Sequence, residues 1–258
     1  MYYPTQIPYI LNQAFAKNMS YTEESAAACG GFVICFWNMQ PTSGGRLSVT
    51  NVIAADACID LVAAYDEQLV GFSGLRKTEF DYRLDLPARF FGARLMPGAF
   101  HQLTRLPASA AMDAFLPVEA VYDDFDRALF FSLPFERAKE YFKDFLKSRT
   151  QGKIPDTFTS LFNTLSHDAP STARELCRTL HFSPRQCQRL FQKHYGISPK
   201  MALSIIRFQK CLEILTSPEA KSSDIPPAAG YFDQPHFIKD FKQNIGITPL
   251  ELIRTYQD

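Results

Sequence analysis

Residues 191–199 read FQKHYGISP and residues 241–249 read FKQNIGITP. Fifty positions separate them, and the echo runs past both phrases. At the same offset Phe182 matches Phe232, Ser183 matches Asp233, Arg189 matches Lys239, Gly196 matches Gly246 and Pro199 matches Pro249. Each copy supplies a capping residue (Ser183 or Asp233), a short helix with a cation and a core phenylalanine, a glycine stop, and a new helix opening at Ser-Pro or Thr-Pro. A short helix is expected ahead of each cap. Helix, tight turn and second helix make the helix-turn-helix unit, whose second helix enters the major groove of DNA.

Between the copies, Met201, Ile205, Phe208, Leu212 and Leu215 fall on one stripe of a long helix starting at Ser198-Pro199. Such a rod spans roughly 27 Å. It can set the two units in successive major grooves, which recur at about 34 Å. Upstream, Thr157–Leu165 reads as a helix. Ser171–Thr179 reads as another, with Ser171 as its cap. Ser183-Pro184 opens a third that ends near His194, before Gly196. The helix before the second turn contains Pro226 and Pro227. If Ser223 or Asp224 caps it, both prolines fall in its first turn, and it is barely a turn and a half long.

The residues S-P-R-Q-C-Q-R-L-F-x4-G-I-S-P, then R-F-x2-C-L-x-I-L, then G-Y-F-D-Q-P-H-F-I-K-D-F-K-x3-G-I-T-P resemble the signature of the AraC/XylS family of bacterial transcription regulators. The resemblance covers about 155–258. The N-terminal part is similar, over shorter stretches, to the sensory domain of one branch of that family. ADACIDLV (55–62) stands where that branch has a core strand, and FGARLMPGA (91–99) stands at a Gly-x-Arg-x-x-Pro-Gly turn. The resemblance implies a cupin-like β-barrel there. It also implies double-stranded DNA as partner, a small-molecule effector, and possible contacts with RNA polymerase and a second copy of the chain.

On the first reading helix Cys187, Leu190 and Phe191 are expected to face inward. Arg185, Gln188 and Arg189 share the opposite face at steps of three and four. Arginine pairs bidentately with guanine and glutamine with adenine, so these three are the expected base contacts. Lys193, at the helix end, suits a phosphate. On the second helix Gln234 is an expected base contact, and Lys239 reaches a base or a phosphate. His236 is either a base contact or a packing residue at the helix start. Pro235 offers only apolar contact, and Lys242 is assigned to phosphate. A solvated helix face is the ordinary reading of such residues; the tandem repeat is what argues for DNA.

The 258 residues are 46% hydrophobic and 21% charged, with zero net charge. That neutrality is uneven: residues 1–150 carry 14 Lys+Arg against 17 Asp+Glu, and residues 151–258 carry 13 against 10. The length fits two domains, expected at 1–150 and 155–258, with TQGKIPD (150–156) between them. From Gly31 to Pro97 the runs GFVICFW, LSVTNVIA, CIDLVAAY and ARFFGARLM read as strands of a small antiparallel sheet or barrel. PFERAKEYFKDFLKSR (134–149) reads as an amphipathic helix that packs on that barrel or pairs with its mate in a dimer. The fold class expected is α+β: a β-rich, cupin-like N-terminal region, then an all-α tandem helix-turn-helix domain.

Nothing in the first 150 residues suggests catalysis. They hold one histidine, His101, where metal-binding cupins need several. GFSGL (71–75) lacks the G-x-S-x-G elbow, and no Gly-rich phosphate loop is present. A non-enzyme without cofactor is therefore expected. No apolar run reaches membrane-span length and the start lacks a signal peptide, so the cytoplasm is expected. Six cysteines without a C-x-x-C pair suit reduced thiols. Cys29, Cys35 and Cys58 are either buried small hydrophobes or a thiol cluster, which leaves a redox-responsive or enzymatic N-terminal region as the alternative. The aromatic-rich strands can hold a small apolar effector. Trp37, Asp56, Asp60 and Arg94 are its candidate anchors, against a purely structural ion-pair network.

Overall fold

A computed structural model of the 258-residue chain describes residues 1–6, 17–42, 44–74, 81–215, 230–231 and 233–257. Pro226 and Pro227 lie outside the described residues. The first half is β-rich: β1 (Met19–Ser25), β2 (Val33–Pro41), β3 (Leu47–Val52), β4 (Ile59–Ala64), β5 (Leu69–Ser73), β6 (Asp81–Leu86), β7 (Phe90–Leu95) and β8 (Phe115–Pro117). Six of these form one antiparallel sheet in the order β1-β2-β7-β4-β5-β8, and β3 pairs with β6 in a two-stranded ribbon. Strand β7 sits between β2 and β4, and every one of its residues is buried. Gly92 is needed there, because a Cβ would fall 2.5 Å from the Trp37 ring and 2.7 Å from the Leu61 carbonyl oxygen.

Helices α1 (Ala99–Thr104), α2 (Arg127–Ser132) and α3 (Phe135–Thr150) follow or flank the sheet, with a 3-10 turn at Ala108–Ala111. The helix expected at 134–149 is α3, and Pro134 serves as its N-cap residue. It packs on its own sheet. Ala138, Phe142 and Leu146 are buried, and the Phe142 and Phe135 rings stand 5.2 and 5.5 Å from Phe91 of β7. Edge-to-face aromatic pairs of this kind add about 0.5–1.5 kcal/mol beyond area burial.

The second half is helical: α4 (Thr157–His167), α5 (Ala173–Thr179), α6 (Pro184–Tyr195), α7 (Pro199–Leu215), α8 (Gln234–Ile245) and α9 (Pro249–Gln257). Thr172, not Ser171, caps α5. Its Oγ1 accepts from Glu175 N at 3.1 Å, while the Glu175 carboxylate takes up Ser171 N. The T-x-x-E pattern beginning one residue later wins. The 17-residue rod α7 packs against α4, α5, α6 and α8.

The apolar core runs without a break from the sheet into these helices. Polar bonds stitch the same seam. Gln102 holds the connecting segment through Ile154 O, Asp156 N and the Thr159 hydroxyl. Gln209 of α7 donates to Ala55 O at 2.7 Å, and Ala55 N donates to Asn244 O of α8 at 3.1 Å.

Candidate nucleic-acid interface

The repeated phrases become two helices built alike at both ends. Ser183 caps α6 by accepting from Gln186 N, and the Gln186 side chain returns to Ser183 N, closing a capping box. Asp233 caps α8 by accepting from His236 N at 2.8 Å. Gly196 and Gly246 end them at φ 71° and 84°, a left-handed conformation that favours glycine. Phe191 and Phe241 are both fully buried.

The opposite faces are open to solvent. Arg185, Gln188, Arg189 and Lys193 on α6 are exposed, as are Gln234, His236, Lys239 and Lys242 on α8. The α6 set lies along one groove of about 730 Å³, shared with Ser183, Gln186, Gln192, Pro107 and Ser109. Three cations and no acid line it. Gln192, seven positions after Arg185, was legible from the same helical spacing but was not singled out. It donates to Gly196 O at 2.8 Å. Pro107 and Ser109 come from the sheet half and carry no signal in the repeat. His236 is exposed, with its ring edge-on to Tyr231 at 5.4 Å.

The supports beneath the two helices differ. Beneath α8, Asp240 accepts from the Ser204 hydroxyl at 2.7 Å and the Tyr231 hydroxyl at 3.1 Å, and it faces Arg207 at 3.4 Å. The Phe208 and Phe241 rings lock α7 to α8 at 5.1 Å. Beneath α6, His194 stacks on Phe158 at 4.0 Å and meets His101 of α1 edge-on at 4.6 Å. Burial, and then the neighbouring His101, depress the His194 pKa to about 4.

In the sheet, Trp37, Asp56, Asp60 and Arg94 come together. Trp37 Nε1 donates to Asp60 at 2.8 Å, and Arg94 Nε stands 3.5 Å from Asp56 and 3.8 Å from Asp60. Glu23 and Tyr21 of β1, absent from the sequence reading, complete the cluster: Arg94 donates to Glu23 at 3.0 Å and to the Tyr21 hydroxyl at 3.3 Å. Gln6 also reaches Asp56 at 2.7 Å. Burial pushes the Asp60 pKa up to about 7, opposed by Arg94 and reinforced by Asp56. All six cysteines are buried free thiols; burial drives Cys35 and Cys187 up to about 12 and Cys58 well above its ordinary value.

Comparison with known proteins adds to this geometry. Residues 176–255 match a family described as a helix-turn-helix domain, of the AraC type. The C-terminal part of the chain is an AraC-type helix-turn-helix domain. Residues 26–117 match a "Domain of unknown function (DUF6597)". The chain is 27% identical over 108 residues to an uncharacterized HTH-type transcriptional regulator, YtdP, of Bacillus subtilis, covering 41% of this chain and 14% of that protein. It is 32% identical over 89 residues to a probable thc operon regulatory protein of Rhodococcus erythropolis (33% and 27% covered). It is 28% identical over 82 residues to the HTH-type transcriptional regulator GbdR of Pseudomonas aeruginosa (32% and 22%). The matches thus span about a quarter or less of these relatives' length. ToxT from Vibrio cholerae superposes over 93% of this chain and 99% of its own, at 12% identity and a TM-score of 0.39. Among the described residues no helix is long and apolar enough to cross a membrane.

Proposed function

We propose that the protein is a sequence-specific regulator of transcription that binds double-stranded DNA through α6 and α8. One observation carries this reading: two helices, capped and stopped alike, stand fifty residues apart with exposed polar faces above buried phenylalanines. Arg185, Gln188, Arg189, Gln234, His236 and Lys239 read bases in this account, and Lys193 and Lys242 hold phosphates. The names of the matched relatives support it. We divide the chain into a sensory region, 1–150, read as cupin-like, and a DNA-binding region, 155–258. A small effector acts through the Trp37–Asp56–Asp60–Arg94 cluster, a homodimer and RNA polymerase are the further partners, and the cytoplasm is the place of action.

The thiol alternative has the weaker support. Buried thiols held above their ordinary pKa carry little thiolate and react slowly.

The test is selection of a binding site from random duplexes, followed by mobility shifts. Wild type should bind the selected site, and Arg189→Ala should lose most of its preference over unrelated DNA. No binding by wild type at low salt would end this reading.

A further inference from the structure

The groove along α6 has a second wall, supplied by the sheet half through Pro107 and Ser109. A helix with its side chains is about 10–12 Å across, and the major groove is about 12 Å wide. A helix seated there therefore has a sugar-phosphate strand along each flank. The flank of α6 that carries Arg185, Arg189, Gln192 and Lys193 shares its groove with Pro107 and Ser109, at the end of the segment 105–109.

That segment is held in place. The His101 ring meets the His194 ring at 4.6 Å, and its Nδ1 lies 2.7 Å from Leu106 O. Met112 packs so closely on the end of α6 that a Cβ on Gly196 would fall 2.6 Å from its Cγ. The same point is 3.3 Å from Ser109 N. Arg105 closes α1 in the left-handed conformation, φ 66°, with its N–H bonded to His101 O. Its side chain is exposed and has no ion pair among the described residues. Pro107 and Ser109 are exposed as well.

We propose that the loop Arg105–Ser109 contacts the DNA backbone beside the first reading helix, so that bound duplex touches both halves of the chain. This rests on the reading of α6 as a DNA-binding helix. Arg105 supplies a charge and Ser109 a hydroxyl to phosphates of the strand that also passes Lys193. Neither residue reads sequence, so their contribution is equal on all duplexes.

The test uses the full chain with Arg105→Asn, Arg105→Lys and Ser109→Asp on the selected site and on an unrelated duplex, across a salt series. Asparagine tolerates the left-handed backbone, which keeps the loop intact. Arg105→Asn should weaken both complexes by the same factor, roughly tenfold at low salt, and reduce the slope of log affinity against log salt by about 0.9. Ser109→Asp should weaken both as well, and Arg105→Lys should retain most of the affinity. Unchanged affinity in Arg105→Asn and Ser109→Asp, or tighter binding, would overturn the proposal; tighter binding would mean that the loop obstructs DNA. If wild type binds and Arg189→Ala loses site preference while the loop variants do not differ, only this inference fails. If wild type binds no duplex, both readings fail.

Discussion

Helices α6 and α8 share a frame, a capping residue, a buried phenylalanine and a glycine stop, and stand on different foundations. Position by position, Leu190 of the first copy corresponds to Asp240 of the second, and His194 to Asn244. The second copy is tied to its own rod by charge and hydrogen bonds: Asp240 gathers Ser204, Tyr231 and Arg207, and Asn244 donates to Ser204 at 2.9 Å. The first copy leans on the sheet half through the contact of His194 with His101, and on α4 through the stacking of His194 on Phe158. The residues that repeat are those that make a capped helix with a buried phenylalanine. The residues that meet what lies underneath diverge, as do exposed ones such as Arg185 against Pro235 and Gln188 against Ile238. A repeat therefore reports local architecture and says little about docking.

The largest expected effect breaks the foundation of the second copy alone. Asp240→Ala leaves Arg207 without its carboxylate and two hydroxyls without an acceptor, and should cost about 3 kcal/mol in denaturant unfolding. Leu190→Ala at the matching half-buried position should cost less.

A second contrast concerns the reading faces. Arg189→Ala should cost about 1–3 kcal/mol on the selected site. Lys239→Ala should cost less there and lose affinity more evenly across sequences, as measured by titration on matched and mismatched duplexes.

The third contrast is in pH. Depressed to about 4 in the folded chain, His194 resists protonation there, whereas the unfolded chain takes up a proton near its ordinary value. Stability from this residue is thus complete above about pH 6.5 and is lost as pH falls toward 4. Asp60, pushed up to about 7, acts in the opposite sense, losing stability as pH rises from the ordinary carboxylate range to about 7. The difference between His194→Phe and wild type isolates the first effect. Relative to wild type, the variant should gain about 1–2 kcal/mol between pH 7 and pH 5, whereas no matching gain should follow Asn244→Leu.

Smallest is the pair of caps. Ser183→Ala and Asp233→Ala should each lose about 1 kcal/mol, read as a fall in melting temperature.

Legibility in the sequence followed the same division. Ser183, Gly196, Asp233 and Gly246 announce helix ends because caps and left-handed stops are decided by single residues. Strands β2, β3, β4 and β7 were legible as apolar runs. Strand β1, MSYTEES, was not: it is an edge strand with one buried residue, and polar edges hide strand character. Its loss concealed Glu23 and Tyr21, and with them half the Arg94 cluster. Strand β8 has only three residues, too few for a period. The wall at Pro107 and Ser109 joins parts of the chain some eighty positions apart, and no local pattern encodes such a meeting.

The central claim is that α6 and α8 enter DNA together, and hydroxyl-radical footprinting of the full chain on its selected site tests it most directly. The account predicts two protected patches on one face of the duplex, about 34 Å apart, one weakened by Arg189→Ala and the other by Lys239→Ala. A single patch insensitive to one of the two substitutions, or patches on opposite faces, would contradict it.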